Sequence, residues 1–542
     1  MAVSDIPKRS YAVGVQDFTW IRERRAPYID KTGYVYKLVS SNATNFFLSR
    51  PRRFGKSLLV DVLRCYFEGR KELFEGLAIY DLEKEWRKYP VIRLDLSNGK
   101  YYEQERVHGT INAILKQQEE QFGITQPEEP TNYDARLTNM ILTAYRQTGE
   151  RVVVLVDEYD APMLDSIHKP ELQDYIRERI RSLFSPLKSQ AQYLRFVFLT
   201  GISKFSQLSV FSELNNLQQL TFNPEYEAIC GITEEEMLTQ MKPDIELMRE
   251  SINEAYARWG IHYTYDEMVA ELKRWYDGYH FSERMTDIYC PWSLINAFTE
   301  KRIQNYWFST GTPTSLINIL RTQDIDMPEL EGYKAALSQF NAPTERITDP
   351  IPVLFQSGYL TLKDYNPITR KWSLGFPNEE VYRGFAESLY QYYCNQYVGS
   401  RNRFEDAYSS FANHETTIDD FLRYLQEFFS AMPYDIMRKN EKHYQSILYA
   451  LLASINADVS AEGRTATGRM DITLRLKDAI YVLELKYDKS SVAALDQIKR
   501  KNYAAAFATD NRPVYAVGLN FNPTTHTLDD GWKVERLHHI SE

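Results

Sequence analysis

The chain is poor in the features that mark secreted, fibrous or membrane proteins. It has four cysteines, Cys65, Cys230, Cys290 and Cys394, far apart and without C-x-x-C pairs or Cys/His zinc spacing. That excludes a disulfide framework or zinc ribbon and fits a reducing, cytoplasmic compartment. No run approaches about 18 continuous apolar residues, and the opening MAVSDIPKRSYAVG lacks the apolar core of a secretory signal, so neither a membrane span nor export is expected. Glycine (23 residues) and proline (22) are too few for collagen or a disordered linker protein. An excess of positive charge is also missing: the formal net charge is −10 and the pI about 5.6. A polyanionic partner must therefore meet a local basic surface.

What is present is ordinary globular chemistry, with 43% hydrophobic and 25% charged residues. At roughly 100–200 residues per domain, 542 residues imply several folding units rather than one core. The 39 tyrosines cluster in places such as Ser388 to Tyr397, where aromatic packing on a helix is the simpler reading and no function is assigned.

Apolar runs at Asn45–Ser49, Val91–Leu96, Val152–Val156 and Leu194–Leu199 alternate with amphipathic stretches over residues 1–225. Continuous apolar character predicts strands covered on both faces, hence a mostly parallel α/β sheet. Residues 226–340 read as a helical lid or adaptor, with Glu234, Glu235 and Glu236 at a helix start and a turn at Asp277-Gly278. The 341–435 region opens on a Pro-punctuated connection, Pro343 to Pro352. A hairpin with its turn at Asn366-Pro367 follows, then a helix from Asn378, a winged-helix-like pattern. Residues 436–542 form a separate α/β unit.

Ser49-Arg-Pro-Arg-Arg-Phe-Gly-Lys-Ser57 follows one strand and opens a helix, the context of a phosphate-binding loop, where backbone N–H groups and a helix N-terminus converge on phosphate oxygens. Lys56 is expected to neutralise the β- and γ-phosphates and Ser57 to ligate Mg²⁺. The first glycine of G-x-x-x-x-G-K-[ST] falls at Arg50, so the loop must begin its turn with a side chain or by another backbone route. About a hundred residues downstream the Val152–Val156 strand ends in Asp157 and Glu158. Paired acids closing a buried strand are costly unless something cationic meets them. Asp157 is assigned to Mg²⁺ and Glu158 to the attacking water; Asp160 reads as a helix cap before Pro162. Thr200 and Ser203, after the next strand, are placed to sense the γ-phosphate. Arg52 and Arg53 either touch phosphate or act as a charge-stabilising finger for a neighbouring subunit. The ATP-binding set is thus Arg52, Arg53, Phe54, Gly55, Lys56, Ser57, Leu58, Asp157 and Thr200. A homo-oligomer is compatible with it.

This loop resembles that of the bacterial AAA-ATPase-like proteins, as do Tyr28-Ile-Asp-Lys31, Asp157 to Pro162, Phe211 to Asn216 and Trp275 to Tyr279. The resemblance covers most of the chain and implies an ATP-binding fold related to the archaeal-type and STAND ATPases, in which an arginine at the first loop position is usual.

At the C-terminus, Gly468–Leu476 alternates as a strand, Lys477-Asp-Ala turns, and Ile480–Lys486 returns. Side-chain alternation puts Glu484 and Lys486 on one face, and the hairpin brings Asp471 beside them. Two acids and a lysine suit phosphodiester cleavage, the acids holding Mg²⁺ and the lysine orienting or deprotonating the nucleophile. The cluster resembles the PD-(D/E)XK nuclease superfamily, with Met470 where the nominal proline stands. That resemblance implies Glu441 as a supporting acid and Gln497 as the residue completing the site. Residues 436–542 carry 15 Lys and Arg against 13 Asp and Glu, and Lys499-Arg-Lys501 is placed to meet a DNA backbone or to form a solvated helix face.

The reading that follows is an ATPase that positions or licenses a Mg²⁺-dependent nuclease acting on DNA. Its rivals are an ATP-dependent scaffold for a protein partner, with a non-cleaving C-terminal domain, and an ATP-binding protein without turnover.

Overall fold

The computed structural model describes residues 10–97, 99–125, 129–166, 169–203, 217–308, 327–341, 349–394, 400–432, 440–455, 457–465 and 468–537. Phe211 to Asn216, residues 343–348 of the proline-punctuated connection and the end of the tyrosine-rich stretch lie outside them. The chain is α/β and forms two bodies, 1–307 with 334–380, and 308–333 with 381–542. The boundary between them falls inside the expected 341–435 segment, at Glu380/Val381.

The first body is built on β1 (Asn45–Ser49), β2 (Val91–Asp95), β3 (Val152–Asp157), β4 (Leu194–Gly201) and β5 (Gln218–Gln219), in the order β2-β3-β4-β1-β5. The paired strands run parallel. Every residue of β1 and β3 is buried, which is why their sequences are continuous apolar runs rather than alternating ones. Val107, Ile111, Leu137, Met140, Ile176 and Ile180 from three amphipathic helices pack with Ile92, Val154 and Val197 in one core. Because the strands are parallel, Ser49, Asp95, Asp157 and Gly201 all end at one edge of the sheet, where α/β proteins bind ligands.

The expected helical stretch is present. Thr233 (in β6, Ile232–Thr233) and Glu236 form a reciprocal capping box at the start of the helix Glu234–Gln240. Helices Lys242–Tyr256, Tyr265–Tyr276 and Pro291–Glu300 enclose a second core around Ile245, Met248, Leu272 and Leu294; β7 (Ile288–Tyr289) pairs with β6. The turn at Asp277-Gly278 requires glycine: Gly278 has φ +87°, and a Cβ there would collide with the Pro377 carbonyl. The hairpin is also found, as β9 (Thr361–Asn366) and β10 (Lys371–Gly375), with β8 (Tyr333–Ala336) completing a sheet in the order β8-β10-β9.

The second body carries a mixed sheet, β11 (Asp458–Thr465), β12 (Gly468–Arg475), β13 (Ile480–Tyr487), β14 (Val514–Phe521) and β15 (Lys533–Leu537), in that order. Only β13 and β14 pair in parallel. The helix Ser491–Arg500 joins them and packs Leu495 and Ile498 onto Ile480, Val482 and Ala516. Among the described residues no helix is long and apolar enough to cross a membrane.

Gly278→Ala is expected to destabilise the first body by about 2 kcal/mol or more, since strain and a backbone collision add; a denaturant midpoint unchanged from wild type would refute this.

Candidate functional sites

The loop between β1 and the helix Lys56–Phe67 is shaped by side chains buried in the surrounding fold. Arg50 is 1% exposed. Its guanidinium donates to the carbonyls of Ser49, Thr221, Tyr226 and Glu227 at 2.9–3.2 Å and lies 4.0 Å over the Phe281 ring. Burial lowers its pKa to about 10, so it remains charged at neutral pH. A side chain thus performs the turn usually made by the first glycine. Gly55, at φ +85°, caps the helix in the left-handed conformation. The N–H groups of the first helical turn, Leu58 included, have no partner within the helix and remain available to an anion.

Lys56 and Ser57 meet the carboxylates at the end of β3. Lys56 Nζ donates to the Pro51 carbonyl at 3.2 Å and stands 3.8 Å from Glu158 Oε1. Asp157 is 1% exposed. Burial pushes its carboxyl up to about 6, a hydrogen bond from Ser57 pulls it down, and the charges of Glu158 and Asp95 push it up again. Its Oδ1 is buried with no hydrogen-bond partner among the described residues. Glu158 holds φ +49°, a conformation costing a non-glycine residue of order 1 kcal/mol or more. A hard cation between Ser57 and Asp157 fits this donor set, since it would satisfy the orphaned oxygen and offset the charge.

Among the other expected nucleotide contacts, the Arg53, Phe54 and Thr200 side chains are engaged within the protein. Arg53, at φ +71°, donates to the Tyr306 carbonyl at 2.7 Å and to the Trp307 carbonyl, and sits 5.0 Å over the Trp292 ring. Its side chain is turned onto main chain rather than offered to phosphate. Arg52 is exposed. The Phe54 side chain is buried edge-on against Tyr279 and Phe281, at 4.8 and 5.5 Å, anchoring the loop. β4 does lie between β1 and β3, but the Thr200 hydroxyl donates to the Leu48 carbonyl at 2.8 Å. Asp160 is not a side-chain cap: its Oδ2 accepts from Ile202 N, Ser203 N and Ser203 Oγ at 2.7–3.0 Å, fixing the exit of β4. Asp95 was not singled out from sequence, although its strand also ends in an acid. The parallel register sets it beside Asp157.

In the second body the β12–β13 register places Ile472 opposite Leu483, and Asp471 Oδ2 accepts the Leu485 N–H at 2.7 Å. Lys486, 5% exposed, donates to Glu484 Oε1 and Glu441 Oε1, both at 2.9 Å, and to the Leu485 carbonyl at 2.7 Å. Gln497 donates to Glu484 Oε1. All five expected residues therefore come together. Glu484 is fully buried; burial, then the charge of Asp471, raises its carboxyl to about 8 against the opposing pull of Lys486. Its Oε2 is buried and unbonded among the described residues. No three Asp, Glu, His or Cys side chains among the described residues form a ready metal cage. Asp471 and Glu484 fit Mg²⁺, which commonly takes one or two carboxylates and fills its shell with water and substrate phosphate. Gln445, four residues past Glu441 on the helix Glu441–Ser454, donates to the Asp471 carbonyl at 2.9 Å and was missed. Lys499 is paired to Glu535 at 2.6 Å, so this part of the basic run already has an anion.

Two family models match the chain: one described as Predicted AAA-ATPase, over residues 12–211, and one for the PD-(D/E)XK nuclease superfamily, over 439–531. The chain is 32% identical over 540 residues to "Uncharacterized protein in vnfD 5'region" of Azotobacter chroococcum mcd 1, covering 98% of this chain and 99% of that protein.

Asp157→Asn is expected to raise the melting temperature of the nucleotide-free protein at pH 7.5. A carboxyl whose folded pKa is raised costs stability above that value, so the advantage must shrink as pH falls through about 6 towards 4. A pH-independent difference would contradict it. Arg50→Gly completes the sequence pattern yet leaves four carbonyls without their donor. A stability loss of about 2 kcal/mol or more is expected in denaturant titration, and an unchanged midpoint would refute the clamp.

Proposed function

We propose, for a chain that belongs to the AAA-ATPase-like family and ends in a PD-(D/E)XK nuclease superfamily domain, that it binds and hydrolyses ATP in its first body and cleaves DNA with Mg²⁺ in its second. The observation that carries this is a repeated arrangement: in each body a buried carboxylate oxygen stands unbonded in a cluster that includes a lysine, Asp157 with Lys56 and Glu484 with Lys486.

In the first body Lys56 and the open N–H groups of the helix bind the phosphates, and Ser57 and Asp157 would hold the metal ion. Glu158 Oε1 breaks its pairing with Lys56, orients the attacking water and accepts its proton. In the second body Asp471 and Glu484 would hold Mg²⁺, with Glu441 supporting them. Magnesium, when bound, supplies charge neutralisation on phosphate oxygens and a water of lowered pKa. The pKa of Lys486 is raised by Glu484 and Glu441 in spite of its burial, so it acts as a cation on the scissile phosphate rather than as a base. Gln497 fixes the Glu484 carboxylate.

Glu158→Gln is expected to bind ATP but slow phosphate release by about 10²-fold or more, as loss of a general base does. Lys486→Ala is expected to lose Mg²⁺-dependent cleavage of linear, circular or single-stranded DNA while still releasing phosphate. Wild-type protein that neither releases phosphate nor cuts any of these substrates, with or without ATP, would overturn the proposal.

A further inference from the structure

The chain leaves the first body at Trp307 and again at Glu380, with a return between them at Lys334. These two exits are tied to one another. Glu380, the second residue of the helix Glu379–Cys394, accepts the Tyr306 N–H at 2.6 Å and the Trp307 N–H at 2.8 Å through a single oxygen, Oε1. Asn305 Nδ2 adds a bond to the Glu380 carbonyl at 3.3 Å. The same two residues, 306 and 307, are held from their carbonyl side by Arg53 of the phosphate-binding loop. Trp292 closes the arrangement, donating its indole N–H to the Tyr306 carbonyl at 3.3 Å beneath the Arg53 guanidinium.

We infer that Arg53 and Glu380 form a relay that reports the state of the phosphate-binding loop at the two points where the chain departs for the nuclease-like body. Both are positioning residues, and the inference rests on the reading that the loop binds ATP. Glu380 is fully buried, so its carboxylate has no water to exchange for the two N–H groups, and the link is stiff. Arg53 lies three residues before Lys56, in the left-handed conformation, so a phosphate that reorients the loop displaces the guanidinium with it. Finally, the dipeptide 306–307 carries donors to one partner and acceptors to the other, so it cannot follow Arg53 without shifting relative to Glu380.

The loop is also packed here. A Cβ on Gly358, at φ +89°, would press on Pro51 at 2.6 Å and approach the Trp307 ring at 3.6 Å. Trp307 itself stands edge-on to Tyr359 at 4.9 Å. Loop, exit segment and the turn at Gly358 are therefore closely packed, with no room for a side chain at 358, and packed groups of this kind shift between discrete arrangements rather than deforming continuously.

The test is amide hydrogen exchange on the full chain, with and without ATP and Mg²⁺, alongside ATP affinity from a fluorescent nucleotide. In wild type, ATP is expected to change exchange at 303–308 and at 379–385 by about tenfold or more. Glu380→Ala is expected to bind ATP within about threefold of wild type while the response at 303–308 and 379–385 disappears. Glu380→Gln keeps an acceptor oxygen and is expected to restore it. Arg53→Ala should abolish the same responses, and the double variant should do no more than either single one. If wild type binds no ATP, the nucleotide reading itself fails and the relay with it. If wild type binds ATP but these segments do not respond, or respond equally in Glu380→Ala or Arg53→Ala, the relay alone is overturned. Should Glu380→Ala fail to fold, Arg53→Ala and Glu380→Gln carry the comparison.

Discussion

Buried carboxylates without sufficient cationic partners are the constraint from which both sites follow. Removing an ionised acid from water costs several kcal/mol unless charge and hydrogen bonds replace the lost hydration. Asp157 and Glu484 each retain one oxygen with no hydrogen-bond partner among the described residues. Each has a neighbouring acid that worsens the balance, Glu158 and Asp95 for the first and Asp471 for the second. Asp160, Asp277 and Glu380 also carry unbonded buried oxygens, so the deficit alone does not mark a site; at Asp157 and Glu484 it coincides with a lysine and further polar donors, and a divalent ion carrying phosphate has the charge and donor preference that match. The sheets that carry these acids differ, one parallel and one mixed: Asp157 closes the buried strand β3, whereas Glu484 lies just past the middle of the buried strand β13.

The arginines of the loop between β1 and the helix Lys56–Phe67 show a second use of charge. Arg50 through its two terminal nitrogens and Arg53 through one donate to main-chain carbonyls, four for the first and two for the second. A planar guanidinium with five donors can gather carbonyls from separate segments where glycine could only permit a turn. The loop is thereby built into the surrounding fold instead of standing free, and its geometry depends on residues 221–227 and 306–307.

The sequence made the local features legible and left the distant ones hidden. Continuous apolar strands, the glycine before Lys56, the acid pair closing β3 and the two-residue alternation of Glu484 and Lys486 are set by neighbours within a few positions, so pattern alone located them. The three acidic residues at 234–236 announced their helix for the same reason. The roles of Arg50 and Arg53 were not legible because, the adjacent Ser49 carbonyl apart, the partners named for them are carbonyls more than 170 residues away, and a carbonyl has no signature in sequence. Thr200 was expected to face a phosphate but its hydroxyl was claimed by the adjacent strand. Asp95 became significant only through the register of β2 against β3, and Gln445 only through the approach of a helix to Asp471.

On the proposed reading, these acids are sites for phosphate-bearing divalent ions. The most direct measurement is the number of Mn²⁺ ions bound by the full chain, followed by paramagnetic resonance, with ATP and then with duplex DNA. One class of ion is expected to require ATP and to vanish in Asp157→Asn, and another to persist in that variant and vanish in Asp471→Asn. Equal Mn²⁺ binding by wild type and both variants would contradict it.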